Sequence, residues 1–166
     1  LGLLQALGGT HRLPRTVGLA PGLDLLLTGR PLSAREALRA GLVDEVVPLP
    51  LLERAARERL AGRPRRRRAG GVREWLLARN PVGRALLFAA ARRRVARESG
   101  GHYPAPAAIL AAAEAGAAGG RDAGERIEAQ RFPGLLLGAP SRRLVELFHA
   151  TRSGEATRDP SSAGRV

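Results

Sequence analysis

The 166-residue chain has no cysteine, no methionine and no lysine. Without cysteine there is neither a disulfide framework nor a thiolate metal site. The missing methionine predicts that the chain does not begin where translation began. The missing lysine means that all 28 basic residues are arginine. Aromatics make up only 3%. No apolar run approaches about 18 residues, which argues against a membrane-spanning helix. The apolar opening, Leu1 to Leu7, has no basic leader before it and is not read as a signal peptide.

Against these absences stand alanine, glycine, arginine and leucine. Apolar residues are 44% of the chain and charged residues 26%, ordinary values for a globular protein. A chain of this length is one domain on the length prior and buries roughly 70% of its unfolded surface. The net charge is +13, with a sequence pI near 11.8. Such a balance points first to nucleic acid. Arginine, alanine, glycine and proline share GC-rich codons, however, so much of the charge is read as compositional background.

Local signals predict mostly helix. Gly8-Gly9 marks a turn, and a short helix runs from Thr10 to about Val17 with Pro14 in its first turn and Gly18 as its stop. A second spans Pro21 to Thr28, closed by Gly29. Ser33-Ala34-Arg35-Glu36 reads as a capping box opening a helix to Ala40, with Gly41 at the left-handed C′ position. Leu42 to Val47 reads as the one strand, with Leu1–Leu4 the sole partner on offer. Helices follow over Leu51–Leu60, Val72–Arg79, Val82–Glu98, Ala107–Ala118, Arg121 to about Leu137 and Ser141 to about Thr151. Between Val82 and Glu98, the residues Val82, Leu86, Ala90 and Val95 are expected on one apolar face. Gly100 to Pro106 reads as a loop. The last helix has Ser141 as its cap and Leu144, Leu147 and Phe148 as its apolar face. The tail from Ser153 is polar and turn-rich.

The segments Leu1–Gly18, Leu27–Pro48 and Gly100–Gly116 resemble the enoyl-CoA hydratase (crotonase) family. The Asn80–Arg84 segment, the Tyr103–Pro106 loop and the Ser141–Thr151 helix are similar to the multifunctional fatty-acid oxidation α subunit. There a hydratase domain is joined by a helical linker to an NAD-dependent 3-hydroxyacyl-CoA dehydrogenase. The resemblance implies a mostly α fragment of the α/β crotonase (ββα-spiral) fold. On it, residues 1–98 are the C-terminal part of a hydratase domain. Residues 99–152 are a helical linker packing on that part, and 153–166 are a tail toward an NAD-binding domain. A cytoplasmic enzyme of fatty-acid β-oxidation is implied, with an acyl-CoA thioester as substrate. Its implied partners are the N-terminal half of the hydratase domain and a thiolase β subunit.

The family's two catalytic glutamates and its oxyanion-hole donors would precede Leu1, so no catalytic residue is expected in this chain, and the fragment alone is expected to be inactive. The resemblance implies substrate contacts at Ala6, Gly8, Gly9 and Thr151. Ala6 stands where the family has a glycine whose N–H helps to hold the reacting water, and Gln5 stands where it has a proline. Alanine keeps the N–H but not glycine's freedom at positive φ. No GxGxxG occurs in the chain, so NAD would bind elsewhere in the parent.

Other candidates have plainer readings. His11, His102 and His149 lack metal-ligand spacing, and no metal site is expected. His11 is read as a surface or helix-face residue. Asp44 and Glu45, adjacent on a strand, would point to opposite faces and could not form a catalytic pair. The Arg65–Arg68 run is read as a solvated loop, ahead of a patch steering CoA phosphates or nucleic acid. The rival functions are a single-function enoyl-CoA hydratase/isomerase with a C-terminal extension and a non-catalytic binding or assembly remnant.

Overall fold

The structure, a computed structural model, describes residues 2–62, 76 and 80–158, with side chains as far as 151. Among the described residues the regular elements are all helical, with no strand, as expected of a mostly α fragment.

The first helix, α1 (Gly9–Val17), starts at Gly8, whose φ of 80° is left-handed. Pro14 falls in its second turn, not the first as expected. Gly22 of the next helix packs directly on Pro14; a Cβ there would lie 2.6 Å from the Pro14 Cα. The two helices meet through Gly18 at φ 104°, a turn that favours glycine. In α2 (Leu19–Thr28), Leu19, Gly22, Leu23 and Leu26 are buried, the spacing of one helical face. The capping box forms as expected at the start of α3 (Ala34–Ala40). Ser33 Oγ accepts from the Glu36 N–H at 3.3 Å, and Glu36 Oε2 accepts from the Ser33 N–H at 2.8 Å. The Ser33 hydroxyl, which also donates to Glu36 Oε2 at 2.6 Å, and then the Ser33 N–H hold the Glu36 pKa below its ordinary value.

The expected strand at Leu42–Val47 does not form. The N–H groups of Leu42 and Val43 turn back onto the Ala37 carbonyl, at 2.9 and 3.4 Å. Residues 2–4, the described part of the Leu1–Leu4 partner segment, are not a strand either, and Leu4 is buried in the helical core. Without a neighbour for its backbone groups, a β-branched run has no ladder to join. Asp44 and Glu45 therefore do not flank a sheet; Glu45 pairs with Arg59 at 3.0 Å.

A 3-10 turn (Leu49–Leu51) leads into α4 (Leu52–Ala61), which buries no residue. Its ion pairs Arg57–Glu53 and Arg54–Glu58 are i,i+4 surface contacts, each worth about 0.3–0.5 kcal/mol. The basic run Arg63–Gly71 lies outside the described residues, as does the Val72–Arg79 helix apart from position 76.

Asn80 caps α5 (Pro81–Ser99), its Oδ1 accepting from the Val82 N–H at 2.9 Å. The buried face of α5 is centred on Phe88, with Leu87, Ala91 and Val95 beside it. Val82 and Leu86 point to solvent instead, and Ala90 is exposed too. The ring of Phe88 is the largest apolar group on the helix. Seating it in the core turns the 82–86–90 ridge outward.

The central helix is α6 (Pro104–Gly119). It opens inside the expected loop, because Pro104 and Pro106 both sit in its first turn, where a missing N–H costs least. Ala105, Ala108, Ile109, Leu110, Ala112 and Ala113 are buried, so α6 packs on α1, α2, α5 and the next helix. Gly120 (φ 83°) joins it to α7 (Arg121–Leu136). These two helices touch through backbone: a Cβ on Gly124 would lie 3.1 Å from the Gly116 Cα. The last helix, α8 (Ala139–Arg158), starts before Ser141 and ends beyond Thr151. Ser141 is thus a buried residue within the helix and not its cap, and the tail reading from Ser153 gives way to helix through Arg158. Only part of the expected apolar face packs. Leu144 is half-buried against Gly2, while Leu147 and Phe148 are exposed.

Among the described residues no helix is long and apolar enough to cross a membrane.

Candidate functional site

The turn from Gln5 to Thr10 is held by several hydrogen bonds and two left-handed residues. Leu7 has φ 59° and Gly8 φ 80°, two successive left-handed residues. Glycine adopts this region freely, whereas leucine does so at a cost of about 1–2 kcal/mol. The Ala6 carbonyl accepts from the Gly9 N–H at 3.2 Å, and Gln5 Nε2 donates to the Leu26 carbonyl at 3.4 Å. Arg12 donates through Nη2 to the Leu7 carbonyl. The Gly8 carbonyl in turn accepts from the N–H groups of His11 and Arg12, which starts α1.

The N-terminus of α1 has no acidic residue in its first turn. Two N–H groups there that have no intrahelical partner are met by Glu128, which reaches across from α7. Glu128 Oε2 accepts from the Gly8 N–H at 2.7 Å, and Oε1 accepts from the Thr10 N–H at 3.1 Å. The Thr10 hydroxyl also donates to Oε1. Glu128 is 3% exposed and Thr10 is fully buried. A carboxylate out of water is costly unless it is well hydrogen-bonded. Here three donors and the positive end of a helix dipole supply that compensation.

A cavity of about 470 Å³ opens beside the turn. Ala6, Leu7 and Arg12 line it on one side, and Arg121, Glu125 and Glu128 on the other. Glu125 accepts from Arg121 at 2.7 Å. A Cβ on Gly8 would lie 2.6 Å from Glu125 Oε1, a side-chain end that can move aside, so it is the φ of 80° that favours glycine here.

The structure thus brings Ala6, Gly8 and Gly9 into one turn, with Ala6 on the cavity wall. Ala6 is not at positive φ; that conformation falls on Leu7, so alanine adds no backbone strain at position 6. A Cβ on Gly9 would lie 2.8 Å from the Gln5 Cβ, so glycine here closes the turn. Thr151 is not brought to this cavity wall. It is exposed on α8, and its hydroxyl donates to the carbonyls of Leu147 and Phe148 at 3.1 and 3.0 Å.

His11 departs from the surface expectation: it is 8% exposed and packs on Gly116. A Cβ at 116 would lie 3.0 Å from His11 Nδ1, a tight contact to which the ring would have to give by a few tenths of an ångström. Burial, then the nearby Arg15 charge, holds the His11 pKa below its ordinary value. Among the described residues no group of three side chains could hold a metal ion.

Glu128 was not among the expected site residues. Its signal is a polar residue on the stripe of α7 that also carries the buried Gly124 and Leu135. Its partners lie 118 and 120 residues away, a pairing no local pattern announces.

Residues 1–65 match the family model described as enoyl-CoA hydratase/isomerase. The matched stretch contains the Gln5–Thr10 turn and helices α1 to α4, and supports the crotonase family for this part of the chain. Glu128 lies outside it.

Proposed function

We propose that this chain is the C-terminal part of an enoyl-CoA hydratase domain together with the helical linker of a multifunctional fatty-acid β-oxidation α subunit. One observation carries the multifunctional half of this reading. Residues in the linker segment fold back on the family-matched turn, and Glu128 ties the two together through Gly8 and Thr10.

The reaction adds water across the double bond of a 2-enoyl-CoA thioester. It needs acid/base groups at the water and at the α carbon, and N–H donors for the enolate oxygen. By resemblance those groups belong to the half of the domain preceding Leu1. The residues present here contribute scaffold and, at Ala6 on the cavity wall, the position whose N–H the resemblance gives to holding the reacting water. Gly8 and Gly9 shape the turn that presents it, and Thr151 remains a candidate acyl-CoA contact on α8. NAD is assigned to a further domain of the parent. The 166 residues contain no GxGxxG, the fingerprint that such a domain would carry. A thiolase β subunit is the parent's proposed partner, and a cytoplasmic location follows from the same reading.

The test is an assay of the full-length gene product with crotonyl-CoA, followed by NAD. Loss of the enoyl-thioester absorbance and then NADH formation are expected. Hydration without NADH formation would favour a single-function hydratase/isomerase. No hydration at all would overturn the hydratase reading. The 166-residue chain alone is expected to give no hydration.

A further inference from the structure

We infer that Glu128 is a positioning residue for the Ala6–Thr10 turn, so that the segment following the family-matched region sets the geometry of the cavity wall. What the turn does is taken from the hydratase reading; that it is held by Glu128 follows from the geometry.

Three observations converge. First, Leu7 is left-handed yet 84% exposed, so no packing of its own side chain holds that conformation. Strain of this kind persists only where the surroundings impose it. Second, the constraints lie on both sides of Leu7's strained peptide. The Arg12 guanidinium binds the Leu7 carbonyl, and Glu128 takes the N–H of Gly8, the very next donor. Third, both Glu128 oxygens are engaged and its side chain is enclosed, so the carboxylate has one place to be. It is carried on α7, which is locked to α6 by the Gly124–Gly116 backbone approach. The turn is therefore referenced to the α6–α7 pair, whose backbones approach closely at Gly116 and Gly124. Glu128 and Glu125, one helical turn apart on α7, also form the cavity wall facing Ala6.

The decisive variant is Glu128→Gln, which keeps the shape but turns an amide NH₂ toward backbone donors. In the full-length gene product, kcat for crotonyl-CoA hydration is expected to fall about tenfold or more, with KM within about twofold. Glu128→Asp is expected to recover part of the loss. Amide exchange at Gly8 and Thr10 should accelerate about tenfold or more while α6 stays protected. If Glu128→Gln does not fold, Thr10→Val, which deletes one donor and leaves the carboxylate, is expected to move kcat in the same direction. An unchanged kcat in an active enzyme would overturn the positioning role alone. Unchanged exchange at Gly8 and Thr10 would overturn the clamp itself. A wild-type product without hydratase activity would sink the hydratase reading and the positioning role with it, whatever the exchange rates show.

Discussion

Residues 9–28 and residues 42–61 lie in the same family-matched stretch, yet they are built differently. The first region packs: Leu19, Leu23 and Leu26 join Phe88, Ile109 and Leu110 in one core. The second does not: α4 buries nothing, and Leu49 and Leu60 are 82% and 87% exposed. Both regions have good local signals. Gly18 and Gly29 stop α1 and α2, and ion pairs at i,i+4 support α4. Helix formation needs only such local terms, whereas burial needs a partner surface. The exposed apolar side chains of Leu42, Val43, Val46, Leu51 and Leu52 mark where a surface is left uncovered in this chain.

The contrast yields predictions of decreasing size. Phe88→Ala removes the largest fully buried side chain and is expected to cost about 3–5 kcal/mol in urea unfolding. Leu60→Ala, its counterpart in the unpacked region, should stay within about 0.5 kcal/mol. Equal losses would erase the distinction. Next comes Glu128→Ala, which strands the buried Gly8 and Thr10 donors; about 3 kcal/mol is expected. Gly22→Ala, which pushes a methyl into Pro14, should cost about 1–3 kcal/mol. Ser33→Ala lies outside the core and should cost about 1 kcal/mol, read as lost helicity near α3.

The smallest effect is that of pH. The folded-state pKa of His11 is lowered from 6.5, so the unfolded chain binds a proton first as pH falls. His11 thus favours folding fully above that value, and its contribution declines below it until the folded pKa is reached. His11→Gln should flatten the wild-type slope of urea midpoints below about pH 6.5. An identical slope in the variant would remove His11 from the account.

Which features the sequence disclosed follows the same division. The capping box at Ser33 and the helix stops at Gly18, Gly29 and Gly41 were legible because each is decided within four residues of chain. The strand at Leu42–Val47 was misread because β-branched composition specifies a strand only where a neighbour supplies hydrogen bonds. The buried face of α5 was misread because two apolar ridges compete there, and only the tertiary seat of Phe88 decides between them. His11 is buried against Gly116 of another helix, a contact that no local pattern announces. In the candidate site, the Gly8-Gly9 turn was legible. Its clamp was not, since Glu128 is joined to it only by the fold. Thr151, proposed from resemblance, has its hydroxyl engaged by its own helix.

The most direct test of the central claim is amide hydrogen exchange of the chain, resolved to single residues. Gly8 and Thr10, clamped by Glu128, should exchange as slowly as the core of α6, by global unfolding, while Leu52–Ala61 exchange through local opening. Gly8 and Thr10 exchanging as fast as α4, or α4 as slowly as α6, would contradict the division of the molecule into a clamped core and an uncovered segment.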